Sequence, residues 1–559
     1  MSDSTTHIKS RDLLPHLYFW GLVLMAISLP FSKFMMSVLQ FTLSGILILE
    51  FMSLEKVHKF VNKYPYYISI FLILPAIIIW IAESLGKILL QFLRKENLPA
   101  IVFTSLYILH VTGLLFTIDF DYALKDLRIK LPLIVLPVIF SVSGSLDKKK
   151  FHTLMLFFSA AVIVGTFVST YILFTQEIGD LRDISIFISH IRFSLLISIA
   201  IFTLAYLTTR KDLYKRYFRV LFMLFTVWLI LYLLLSASMT GLVVLFIAVF
   251  VMAINYSLKK KNLYSRIATV ILLLTPVVIT VFIMGIITDV YKVHIVDFSQ
   301  LDKQTAAGAY YWHDTSNLQT ENGHYVWLYV ATDELRSAWN NRSSIDFDGK
   351  DNKEQELKHT LIRYLTSKGF RKDAAGVEQL SPNDIALIEN GEASSHYHER
   401  SVFYIRLYKI IWETQQYFRT GNPSGHSAMQ RIEYWKTSMM IIKQHPVFGV
   451  GTGDMNIAFE NQYELMNSPL HPEFRWRSHN QFLSITVGFG IIGIIWFLVV
   501  LIYPPIKTGR MTDFFYLAFF VIMIVSMVSE DTIETQTGVT TFAFFTSLFL
   551  FGKKDKSTI

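Results

Sequence analysis

The chain has 559 residues, 53% of them hydrophobic and 17% charged, with a mean hydropathy of +0.43, a formal net charge of +8 and a pI near 9.1. That composition excludes an ordinary soluble globular protein and predicts an all-α polytopic membrane protein. The absence of cysteine excludes disulfides, thiolate metal sites and a thiol nucleophile, and the basic balance follows largely from Lys and Arg collecting on cytoplasmic loops rather than from a nucleic-acid partner.

Apolar runs of roughly the 20 residues needed to cross a bilayer lie near 13–31, 34–54, 67–90, 99–118, 151–174, 190–209, 218–237, 239–257, 266–289, 481–503, 511–529 and 538–552, with a shorter run at 131–144. We expect about 12 spans, the first retained because no small-residue cleavage site follows it. Basic clusters at 56–63, 94–95 and 148–150 cannot all be cytoplasmic if every run spans, so one run between 13 and 90 is expected to be tilted, re-entrant or interfacial. Further inside loops are marked by Arg210, Lys211, Lys215 and Arg216, by Lys259 to Lys261 with Arg266, by Lys507 with Arg510, and by Lys553, Lys554 and Lys556. The loop 175–189, the turn near Ser238, the long segment 290–478 and the acidic turn 530–537 then face outward. The organisation read from this is an N-terminal transmembrane bundle (1–289), a large, mostly helical outer loop domain (290–478) and C-terminal transmembrane helices (479–559).

The chemistry concentrates outside. His190 and Arg192 stand at the outer mouth of a span, where an arginine is either a snorkelling anchor or a ligand for an anion. His396 and His398 lack a carboxylate framework and read as a solvated loop rather than a metal site. From Ser401 an amphipathic interfacial helix is expected, then a second helix in which Arg431 and Trp435 are one turn apart, stopped by Pro446. Gly449, Gly451 and Gly453 follow without the Lys-Ser/Thr of a nucleotide-binding loop; they read as a tight turn, with an anion held on its amides as the functional variant. Next comes RWRSHNQFLSITVGFGIIG, in which Arg475 and Arg477 precede His479 and Asn480. Helical spacing would stack His479, Leu483, Thr486, Gly490 and Gly493 on one face, the glycines letting a neighbouring helix approach. Glu530, Asp531 and Glu534 form an outward acidic turn, either solvated or orienting a cationic partner.

In order, these are an arginine at the mouth of a middle span, a long late outside loop, R-x-x-x-W, HP-x-x-GVG-x-GD and HN-x9-G-x-x-G. The set resembles the O-antigen ligase and O-antigen polymerase superfamily of bacterial inner-membrane glycosyltransferases. The resemblance implies a GT-C-like membrane glycosyltransferase fold and transfer of a glycan from undecaprenyl pyrophosphate to a lipid A-core, glycan or protein hydroxyl on the periplasmic face, without cofactor or metal. It matches His479 to the family's loop histidine, Arg431 and Arg192 to two pyrophosphate-engaging arginines, and Gly490 and Gly493 to its helix glycines. Arg477, Arg475, Asn480, Trp435 and His190 are then candidate substrate contacts, and Glu530 and Asp531 candidate partners behind them. Met239 stands where many relatives carry arginine, and 291–400 is longer than the usual loop, which leaves its role open.

Physical chemistry supports the same residues. Guanidinium forks bind phosphate oxygens with paired charge-assisted bonds and stabilise charge growing on a leaving pyrophosphate, while a histidine titrating near neutrality accepts the proton of an attacking hydroxyl. Direct displacement predicts inversion at the anomeric carbon. Of three reactions using these parts, ligation to lipid A-core is the expected one, with polymerisation of repeats and protein glycosylation as alternatives. A lipid-linked-sugar transporter fits less well, since transporters place charge at mid-membrane and often show inverted repeats.

Overall fold

The computed structural model describes residues 3–52, 66–176, 181–260, 263–395, 402–424 and 426–553. The basic cluster near 56–63, Lys261, His396, His398, Lys554 and Lys556 lie wholly or largely outside the described residues. Helices dominate, and the chain divides into two compact units: Met1–Ser265 with Tyr434–Asn467 and Arg475–Ile559, and Arg266–Glu433 with Ser468–Phe474.

The first unit is a helical bundle. Its helices begin with α1 (Asp3–Ser28), α2 (Lys33–Phe51), α3 (Tyr66–Phe92) and α4 (Leu98–Thr112), then the short α5 (Phe120–Lys130) and α6 (Pro132–Val142). After these come α7 (Lys148–Thr175), α8 (His190–Thr208), α9 (Arg216–Leu235) and α10 (Met239–Lys260), while α11 (Leu263–Tyr291) carries the chain into the second unit. Short polar side chains start several of them: Ser32 accepts from Met35 N at 3.2 Å, and Asp147 accepts from Lys150 N at 2.8 Å. Nine described helices are long and apolar enough to cross a membrane, and the apolar helices Leu13–Ser28 and Phe514–Ser529 are shorter. The protein is therefore an all-α, multi-pass membrane protein.

Loop contacts define the two ends of the bundle. At one end Lys148 meets Asp212 at 3.5 Å, Lys553 meets Asp513 at 2.8 Å, and Lys259 donates to Thr512 O at 2.9 Å. At the other, Phe31 packs edge-on against Phe187, and Gln536 donates to Lys33 O. The basic loops thus gather at one end, and the residues singled out for chemistry in this unit lie at the other.

The second unit has its own core. A two-residue hairpin, β1 (Thr320–Glu321) with β2 (His324–Tyr325), adjoins α12 (Thr332–Asn340), α13 (Leu357–Ser367), α14 (Ala374–Glu378) and α15 (Pro382–Glu389). Trp339, Phe347, Leu361, Tyr364 and Ile388 are buried among these helices. Next, α16 (Val402–Thr420) lays Tyr404, Tyr408 and Trp412 against Ile286 and Val290 of α11. Tyr404 Oη donates to Asp289 at 2.7 Å, and Trp412 Nε1 donates to Thr320 O at 3.0 Å. The chain returns to the bundle along α17 (Ser427–Gln444), followed there by α18 (Met455–Leu465), α19 (Gln481–Lys507), α20 (Phe514–Ser529) and α21 (Gln536–Leu550).

Candidate active site

The loop 475–480 is built by hydrogen bonds to neighbours rather than by regular structure. Trp435 Nε1 donates to Ser478 O at 3.1 Å, and Tyr463 Oη donates to Trp476 O at 2.6 Å. Asn480 caps α19, accepting from Leu483 N at 3.1 Å while its amide donates to Val528 O at 2.9 Å. His479 therefore precedes the helix instead of lying on it, with φ of 45°, a left-handed conformation uncommon for a residue with a Cβ. Its imidazole is 37% exposed, stands over Tyr434 at 5.5 Å between ring centroids, and has Nδ1 3.9 Å from the Glu530 carboxylate.

Beside it opens a cleft of about 490 Å³ whose wall includes Arg192, Arg475, Arg477, His479, Glu530 and Asp531. Arg192 opens α8, and its Nε is buried with no hydrogen-bond partner among the described residues. Arg475 lies over the Tyr463 ring at 5.9 Å. Arg477 donates to Tyr122 Oη at 3.0 Å and is 3.8 Å from Glu534. Burial alone would lower the Arg477 guanidinium; Glu534 and its neighbouring acids outweigh that and raise it, so the cation is held firmly.

Beneath the cleft, polar groups are paired in a chain. Lys130, with no exposed side-chain surface, bridges Asp126 at 2.5 Å and Glu534 at 2.8 Å. Gln481 donates to Glu534 at 3.0 Å and accepts from Ile533 N at 2.8 Å, tying α19 to the acidic turn. Burial raises the Glu534 carboxyl, but Lys130 and Arg477 outweigh it and hold it well below the usual carboxylate range. Asp531 accepts from Ser484 Oγ at 2.7 Å and from Ser478 Oγ at 3.2 Å. The acidic turn is thus a buried scaffold that fixes the arginine and histidine loop, not a solvated surface.

The glycine-rich segment has a different role from anion binding. Val450 N donates to Val487 O, Gly451 N to Gly488 O and Gly453 N to Thr117 Oγ1, so those amides already have acceptors. Asp454 accepts from Ile118 N and Asp119 N at 2.8–2.9 Å. This turn docks onto a break in α19, where Gly490 has φ of 62° and a Cβ would lie 2.2 Å from the Val447 backbone. The continuous face expected from His479 to Gly493 is therefore interrupted. Gly490 admits a turn rather than a neighbouring helix, and a Cβ on Gly493 would meet Phe489 of its own segment at 2.2 Å. Periodicity missed this because a helix broken by one left-handed glycine keeps its apolar pattern on both sides.

Of the remaining candidates, His190 faces Ser236 O at 3.2 Å, and Asn480 and Trp435 support the loop backbone. Arg431 lies on the part of α17 that belongs to the second unit, its guanidinium 3.3 Å from Ser427 O. Lys130, Asp126 and Tyr122 went unnoticed in the sequence; the one available signal was the alternation of charged and apolar residues in DYALKDLRIK.

Residues 398–498 match the family model described as O-antigen ligase. Over this stretch the chain is similar to the O-antigen ligase family. The O-antigen ligase match takes in Arg431, the glycine turn, the arginine and histidine loop and the break in α19, while most of the second unit lies outside it. No curated protein matches the chain.

Proposed function

We propose that the cleft transfers a glycan from a lipid-linked pyrophosphate donor to an acceptor hydroxyl, with lipid A-core as the acceptor, on the periplasmic face of the bacterial inner membrane. The observation that carries this reading is the convergence of Arg192, Arg475 and Arg477 with the His479–Glu530 pair on one cleft at the bundle end opposite the basic loops. Three guanidinium groups suit a multiply charged leaving group: they favour the charge that develops as the glycosidic bond to phosphate breaks. In the transfer step the acceptor oxygen bonds to the anomeric carbon, the bond from that carbon to the phosphate oxygen breaks, and undecaprenyl pyrophosphate leaves. His479 takes the hydroxyl proton, and Glu530 steadies the resulting imidazolium. Displacement from the opposite face inverts the anomeric centre. Arg431, which the resemblance matches to a pyrophosphate-engaging arginine, is proposed as a further donor contact. A lipid-bounded site also accounts for the multi-pass bundle, since an isoprenoid donor stays in the bilayer while its head reacts at the surface.

The test is glycan profiling of a deletion strain complemented with H479A. A ligase predicts long chains that remain unattached to core; a single attached repeat would replace ligation with polymerisation, and full complementation would remove His479 from the chemistry.

A further inference from the structure

The second unit carries a strip of aromatic rings at its surface, outside the segment matched by the family. Trp312 is 53% exposed, and its ring lies 6.2 Å from that of Trp327 at an interplanar angle of 73°. Trp327 in turn stands 5.8 Å from the exposed imidazole of His359 on α13, at 80°. We propose that this strip is a carbohydrate-binding site for a chain of neutral hexopyranoses. That the chain is one of the enzyme's own reactants rests on the transfer reading above; the chemistry of the surface does not.

Three features favour a sugar. The rings are fixed before any ligand arrives: Trp312 and Val330 exchange backbone bonds of 2.8 and 3.1 Å, Asp314 N donates to Trp327 O at 2.9 Å, and Trp327 Nε1 donates to Gln319 Oε1 at 3.0 Å. Binding on preset aromatic rings costs little side-chain entropy. The inclined indoles offer apolar faces that suit the axial C–H groups of a pyranose. Beside them, the Trp312 indole N–H and the Gln319 amide nitrogen make no hydrogen bond among the described residues, so both can donate to sugar hydroxyls.

Charge argues against the other class of partner such rings can meet, an anionic lipid surface. The segment 291–395 has 16 Asp and Glu against 11 Lys and Arg, although the whole chain is net positive. An acidic segment is repelled by anionic headgroups and by acidic glycans, which leaves neutral sugars as the matching ligand.

The experiment uses the full chain in zwitterionic nanodiscs, presented to an array of neutral glucan, mannan and galactan oligosaccharides, to sulfated glycans, and to phosphatidylglycerol vesicles. The expected result is retention on at least one neutral glycan, weakened about tenfold or more in W312A/W327A, an effect of about 1.4 kcal/mol, and recovered in part in W312F/W327F, which keeps ring faces but no indole N–H. H479A should bind as the wild type does. No retention on any neutral glycan, unchanged binding by W312A/W327A, or vesicle capture that depends on these tryptophans would overturn the proposal. Normal transfer by H479A with glycan binding intact would overturn the transfer reading and leave this site standing.

Discussion

At residue scale the arrangement around His479 separates side chains that line the cleft from groups that hold them in place. The left-handed backbone at 479 costs roughly 1 kcal/mol or more, and the capping by Asn480 and the Ser478 contacts with Asp531 offset it. Replacing His479 by Ala removes the proposed proton acceptor without disturbing these supports, so transfer should fall about 10²–10⁴-fold with unchanged thermal stability in detergent. Arg477→Ala should lower turnover by about 10²-fold, again in protein that inserts normally. Glu534→Gln is different in kind. It strips a carboxylate from the fully buried Lys130, and losing one partner of a buried pair costs roughly 3–5 kcal/mol. Melting should therefore shift downward by several degrees, and the loss of activity should follow the loss of fold. The histidine and arginines were legible because charge on the outer side of a membrane protein requires an explanation beyond topology. The weight of Glu534 was not, since its partner Lys130 lies 404 positions away in the chain and only the fold brings them together.

At the scale of elements, the pairing between the 446–454 turn and the break in α19 is the feature that sequence spacing describes least well. Gly449, Gly451 and Gly490 all have positive φ, and a Cβ on Gly449 would stand 2.3 Å from the Gly488 backbone. These glycines exist for close approach of two backbones, so Gly490→Ala meets both a disfavoured conformation and a clash. We expect that variant to lose protection from hydrogen exchange in 446–454 and 485–493 together, with transfer falling in parallel. If exchange changed in only one of the two segments, they would not be a single docked unit. The spans themselves were easier to anticipate. Apolar runs near 148–175, 190–208 and 481–507 appear almost where the hydropathy pattern puts them, because crossing a bilayer demands a long run of apolar residues.

At the scale of the whole molecule, the two units obey different rules. The bundle was visible in composition, since lipid imposes length and apolarity on each span. In the second unit the core around Trp339 and Tyr364 is made of short helices, and its assembly depends on long-range packing that local pattern does not encode. Its stability should depend on pH through Asp384, which accepts from Tyr364 Oη at 2.6 Å and pairs with Lys368 at 2.7 Å. Burial raises this carboxyl, but Lys368 and Tyr364 outweigh it and bring it to about 2. The folded value lies below the unfolded one near 3.8, so the stabilisation, of order 2 kcal/mol, is complete at neutral pH and disappears as pH falls from about 4 toward 2. Hydrogen exchange in α13 and α15 should be faster in Asp384→Asn than in wild type at pH 7, with the difference closing near pH 2. The most direct test of the central claim is reconstitution of the purified protein with an undecaprenyl-pyrophosphate-linked glycan and lipid A-core in the presence of EDTA, following glycolipid product and released undecaprenyl pyrophosphate together. The account predicts equimolar appearance of both with wild type and neither with His479→Ala; equal turnover by the two proteins, or product without release of the pyrophosphate lipid, would contradict it.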